Sequence, residues 1–147
     1  MARALVLAAA VLIGGGAAPR LNNNRLADFP RRFPIAFKAF RDSAPDALLN
    51  LPYIGSLDNA AGDGEIRQVT MDGQVMVRAF SCLPHDCVDQ TLTVIFTPDQ
   101  KRVVAVAKII NSRLKFSYVI MGEPSPRELT CLIQAARLDF EARNSKC

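Results

Sequence analysis

From Glu65 to Met121 the chain alternates short runs of β-branched and aromatic residues with brief turn signals, a pattern that leaves no room for a long helix. Ile66 to Met71 leads into Asp72-Gly73, a strong two-residue hairpin signal. Gln74 to Phe80 follows, with Val75, Val77 and Ala79 on one side and Gln74, Met76 and Arg78 on the other. Gln90 to Phe96 sets Leu92, Val94 and Phe96 against Thr91 and Thr93. Thr97 to Lys101 reads as a turn, Val103 to Ile110 as the fourth strand, Asn111-Ser112 as another turn, and Leu114 to Met121 as the fifth strand. Strands joined this closely pair with their neighbours in sequence, so the expected core is a five-stranded antiparallel meander.

Helices flank it. Pro34 suits the first position of a helix and predicts one over 34–43, with Phe33, Phe37 and Phe40 on one face and Lys38 and Arg41 turned away. That face could be a basic, membrane-surface helix or an aromatic face packed on the core; the globular sequence that follows favours the core. Leu48 to Tyr53, broken by Pro52, predicts a short helical turn or connector. Ser125-Pro126-Arg127-Glu128 has the form of a capping box with proline at the first turn, opening a helix whose buried face is Leu129, Leu132, Ile133, Ala136 and Phe140. The expected fold class is α+β, with helices on one face of the sheet and the other face freer. Asp58 to Glu65 resembles a calcium loop in its acids and glycines, but Ala60 and Gly62 stand where ligands are required, so it reads as a solvated loop.

Residues 1–18 have the order of a secretory leader. Arg3 is a short basic region, Ala4 to Ile13 is uninterrupted apolar sequence, and Gly14 to Ala18 supplies small residues for cleavage. The apolar run is about half the roughly 20 residues needed to cross a bilayer. The chain is therefore expected to be exported, with residues 19–147 forming one domain in an oxidising space. The sequence carries a formal charge of +4 without a single basic block, which argues against a nucleic-acid partner.

Function is expected at Cys82-Leu83-Pro84-His85-Asp86-Cys87, which holds two of the four cysteines and the only histidine. A disulfide across such a hairpin closes a small ring, contributes about 2 kcal/mol by loop closure, and freezes the side chains between. Pro84 adds rigidity by fixing its own φ and restricting Leu83. The segment then projects as a knuckle suited to filling another protein's cleft. Rival readings are a zinc site using Cys82, His85, Asp86 and Cys87, a cysteine nucleophile with His85 as base, and a disulfide that merely staples the hairpin. Zinc ligands usually come from separated segments, and adjacent His85 and Asp86 would be strained as joint ligands. A nucleophile needs a free thiolate and an orienting group.

The run from Val75 to Cys87 resembles the signature of the Ivy family, inhibitors of vertebrate lysozyme from Gram-negative bacteria. The family's loop reads Cys-Lys-Pro-His-Asp-Cys, which this chain matches at Cys82, Pro84, His85, Asp86 and Cys87 and departs from at Leu83. The order of leader, aromatic helix, strand, loop, meander and C-terminal helix is similar too, and Leu132 to Ala136 resembles the family's apolar segment.

The resemblance implies a periplasmic, often homodimeric inhibitor of a c-type lysozyme or related muramidase. Such a protein has no catalytic residue, cofactor, metal or membrane partner of its own. Its Cys82–Cys87 loop would enter the enzyme's cleft with His85 facing the two catalytic carboxylates, a pair for which lysozyme is the type case. Leu83 in place of lysine removes a cation expected to favour that cleft, and a basic chain gains no long-range attraction to a basic enzyme. The alternative is a periplasmic binding or structural protein that keeps the fold without inhibition, or that binds the cell's own lytic transglycosylases. Cys131 and Cys147 are left either to close a second disulfide or to remain thiols.

Overall fold

A computed structural model describes residues 26–55, 57, 65–71, 73–110 and 115–137. The leader, the Asp58 to Gly64 stretch, the Asn111-Ser112 turn, Phe140 and Cys147 lie outside them. The fold is α+β. A 3₁₀ turn (Leu26–Asp28) and four helices come first: α1 (Phe29–Arg32), α2 (Pro34–Ser43), α3 (Asp46–Leu49) and α4 (Pro52–Gly55). Strands β1 (Glu65–Met71), β2 (Gln74–Leu83), β3 (Asp86–Phe96), β4 (Val103–Ile110) and β5 (Phe116–Met121) follow, then helix α5 (Pro126–Arg137). The strands form one antiparallel sheet in sequence order, the expected meander.

The helices do not share one face. The N-terminal helices cover the side bearing Val77, Ala79, Leu92, Val94, Phe96, Ala105 and Ala107. Helix α5 takes the opposite side, where Cys131, Leu132 and Ala136 pack with Val69, Met76, Ile95, Val104 and Val106. The expectation of one freer face is corrected for a physical reason: α1 to α4 already occupy the first face, and the apolar stripe of α5 must be buried somewhere. Met76 and Arg78, read from alternation as outward-facing, are consequently buried, and the Arg78 guanidinium donates to Glu65 Oε1 at 2.9 Å. Burial, then the neighbouring Arg67, lowers the Arg78 pKa, while Glu65 opposes the shift.

Aromatic packing ties the first layer to the sheet. The Phe29 ring stacks on Phe96 at 5.3 Å, Phe33 meets Phe96 edge-on at 4.9 Å, and Phe37 meets Phe29 edge-on at 5.7 Å. Phe40 is fully buried, as the core reading of α2 requires. The N-terminus of that helix, where backbone N–H groups lack intrahelical partners, is satisfied from afar. Gln100 Oε1 accepts from Ile35 N at 3.1 Å and Ala36 N at 3.2 Å. Gln100→Ala removes both bonds while keeping a non-glycine residue at the same positive φ of 62°. It should lower unfolding free energy by about 1 kcal/mol in urea titration, the usual worth of a lost helix cap.

The predicted capping box of α5 is present. Glu128 N donates to Ser125 Oγ at 3.3 Å and Ser125 N donates to Glu128 Oε2 at 2.7 Å. Arg102 adds a two-pronged contact, donating from Nε and Nη2 to Glu128 at 3.0 and 2.6 Å. These bonds, Arg102's foremost, hold the Glu128 carboxyl at about 2 against the opposing effect of burial. A carboxyl depressed in the folded state stabilises the fold fully above its unfolded pKa and loses that contribution as pH falls toward the folded value. The wild type should therefore lose about 1 to 2 kcal/mol between pH 5 and 2 through this group, a range that allows for the half-exposed guanidinium. Glu128→Gln should remove that part of the pH dependence, as read by unfolding at stepped pH.

Candidate functional site

Strands β2 and β3 meet at a two-residue turn made by Pro84 and His85, with Leu83 paired to Asp86. Proline at the first central position and φ of 66° at His85 in the second give the form of a type II turn, where glycine is the usual second residue. Pro84 and His85 are the exposed tip. Behind them Cys82 and Cys87 are bonded, with Cα atoms 4.8 Å apart. Cys82 is 1 % exposed, so the tip is anchored in the sheet interior. The bond also removes the thiolates that the zinc and nucleophile readings require.

The two cysteines are not cross-strand partners. Cys82 pairs with Thr91, and the register breaks between Cys82 and Leu83, so Cys87 to Gln90 bulge out of β3. Three contacts brace that bulge. Gln90 Nε2 donates to Asp86 Oδ2 at 2.8 Å, Lys108 Nζ donates to Val88 O at 2.6 Å, and Lys108 lies 3.8 Å from Asp89 Oδ1. Lys108 is the only charge in the apolar run Val-Val-Ala-Val-Ala-Lys-Ile-Ile of β4, a signal that could have marked it as a structural partner. Val88 is 53 % exposed and extends the tip with an apolar flank.

Leu83 does not face the same way as His85. It is half-buried and packs against the first-layer core. Leu83 thus anchors the knuckle to the domain. Beneath the hairpin, Tyr53 in α4 is 1 % exposed, and its backbone oxygen accepts from Ser81 Oγ at 2.9 Å. The Tyr53 hydroxyl is buried without a hydrogen-bond partner among the described residues. Burial first, and the Asp86 charge second, push its pKa up to about 12, so the phenol stays neutral under the tip.

All six residues singled out from sequence therefore lie at one place: Pro84 and His85 at the apex, Asp86 and Cys87 half-exposed beside them, Leu83 and Cys82 turned inward. Sequence reasoning missed Val88, Asp89, Gln90 and Lys108, which complete the knuckle. The site is convex, and among the described residues no cluster of three or more histidine, cysteine or acidic side chains is arranged to hold a metal. The described helices include none long and apolar enough to cross a membrane. The chain matches no protein-family model, and no curated protein is significantly similar to it.

Proposed function

We propose that this chain inhibits a c-type lysozyme or related muramidase in the periplasm by inserting the Cys82–Cys87 knuckle into the enzyme's cleft. The observation that carries the reading is the backbone of His85. A non-glycine residue at φ of 66° holds a less favoured conformation where glycine would be comfortable, and here it does so at an exposed apex. Strain kept at a solvent-facing position points to a role for the imidazole itself. Three constraints fix it before any encounter: the proline, the disulfide and the braced bulge. Little conformational freedom is left to lose on binding.

The chemistry suits a two-carboxylate site. As imidazolium, a histidine side chain donates from both ring nitrogens, so one side chain can engage a pair of acids with charge-assisted bonds. Asp86 is already engaged by Gln90, which keeps its carboxylate to the side of the tip. On the flank Asp86 is partly exposed, and Asp89 is partly exposed with Lys108 Nζ 3.8 Å away.

The test is a cell-wall lysis measurement with the purified protein in micromolar excess over a c-type lysozyme. Slowed lysis is expected. An unchanged rate rejects the reading for that enzyme, and the same protein tested against lytic transglycosylases then decides the retargeted alternative.

A further inference from the structure

The end of the sheet away from the knuckle holds a pocket of about 240 Å³ on the α5 side. Gln74, which lines it, and Leu83 are the two ends of the ten-residue β2, about 30 Å apart along an extended strand. Met71 and Met76, both buried, form its apolar floor. Arg102 before β4, with Ser125 and Glu128 at the start of α5, completes the wall. Gln74 and Arg102 are exposed at the rim. Pockets that enclose drug-sized ligands run from roughly 300 to 1,000 Å³, so this one admits a small molecule or the end of a chain.

The polar groups left over in the wall are donors. Both Glu128 oxygens are engaged: Oε1 accepts from Arg102 Nε, and Oε2 accepts from Arg102 Nη2 and from Ser125 N. Arg102 Nη2 also donates to the Glu123 carbonyl, which leaves the N–H groups of Nη1 without a partner among the described residues. Ser125 Oγ accepts from Glu128 N, so its own hydrogen remains to be given. The N-terminus of α5 adds positive partial charge. An anion is therefore favoured, but Arg102 is already balanced by Glu128 and the methionine floor offers nothing to further ionised oxygens. A monoanion with an aliphatic body fits better than a phosphate dianion. We propose that this pocket binds the C-terminal carboxylate of a short peptide whose last residue is small and aliphatic. The carboxylate meets Arg102 Nη1 and the Ser125 hydroxyl, the last side chain lies on the thioethers of Met71 and Met76, and the Gln74 amide meets the preceding peptide group.

In the periplasmic setting proposed above, two sources present such an end. Free peptides end in an L residue, whereas the stem peptides of the cell wall end in D-alanine, and the wall is the substrate of the enzyme that the knuckle is proposed to block. A pocket at the far end of the sheet can hold the wall while the knuckle stays open to the enzyme. The pocket stands apart from the inhibitor reading, and either can fail alone.

Methionine methyl groups give the test its readout. Of the four methionines, Met71 and Met76 line the pocket, and Met121 is buried in the first-layer core on the other side of the sheet. With those methyls labelled for nuclear magnetic resonance, N-acetyl-D-alanyl-D-alanine or its L,L isomer, titrated to about 20 mM, should shift Met71 and Met76 with a Kd on the order of 1 mM and leave Met121 in place. Binding by either isomer supports the site, and the tighter one names its source. The C-terminal amide of the same dipeptide should bind about tenfold more weakly. Gln74→Glu, an isosteric change at an exposed position, sets a carboxylate at the rim and should weaken binding about tenfold. Arg102→Lys keeps a cation beside Glu128 but lacks Nη1, and should do the same while leaving lysozyme inhibition unchanged. The absence of any shift with both isomers overturns the proposal. So does an amide that binds as well as the acid, wild-type affinity in Gln74→Glu, or a shift at Met121 equal to those at Met71 and Met76.

Discussion

Replacing His85 by alanine is expected to weaken inhibition of a c-type lysozyme about a hundredfold, a loss of about 3 kcal/mol typical of a central interface anchor. The fold should be unaffected, because His85 is exposed at the apex of the turn. His85→Gly separates function from structure further. At φ of 66° glycine relieves the steric conflict that any L side chain meets, so this variant should gain up to about 1 kcal/mol in stability while losing as much inhibition as alanine. If the imidazole were an ordinary turn residue over a disulfide staple, the glycine variant would be the better protein in both measurements. The decisive result is therefore the pair of signs: stability up and inhibition down. Inhibition that survives in both variants rejects His85 as the contact and, with it, the mechanism.

The knuckle was legible in sequence because its determinants are local. Cysteine spacing, proline geometry and the lone histidine all lie within six consecutive residues. Local signals also located α2, which begins at Pro34 as expected, and the Ser125 capping box. The meander was legible because period-two alternation and short turns constrain which strands can meet. What escaped was non-local or too short to show a period. Helix α1 has four residues, barely one turn, and is held by packing under Phe29. The expected helical turn over Leu48 to Tyr53 is present as α3 and α4, whose division at Pro52 was legible but whose packing under Leu48 and Tyr53 was not. The bulge at Cys87 to Gln90 depends on Lys108, which reaches across from β4 to the Val88 carbonyl. Alternation did mark its consequence, since the regular apolar pattern of β3 starts only at Gln90 and ladder pairing resumes at Thr91. The second covered face escaped for another reason: period-two reading assigns sides to residues but does not say whether a later helix will bury the side they occupy.

Gly55 is where the N-terminal layer is most exposed to a single change, and Gly55→Ala should destabilise the protein by about 3 kcal/mol, lowering the melting temperature by about 10 °C. A Cβ placed there would stand 1.7 Å from the Leu49 carbonyl oxygen and 2.7 Å from its carbon, both backbone atoms. No rotamer change can relieve that contact. The turn must open, and Gly55 N, which donates to Leu51 O at 2.8 Å, closes it. Opening it displaces Tyr53 and Ile54, 1 % and 0 % exposed, and with them the carbonyl that receives Ser81 Oγ on the strand leading to the knuckle. Gly73→Ala is the control. Its φ of 74° disfavours alanine, but a Cβ would find nothing within 4 Å, so the loss should stay near 1 kcal/mol. Thermal unfolding of the two variants thus distinguishes backbone collision from conformational preference. Equal losses would show that α3 and α4 do not approach as closely as Gly55 requires. A large loss at Gly55 accompanied by full inhibition below its melting temperature would show that the layer supports the knuckle's stability while the disulfide and the braced bulge preserve its shape.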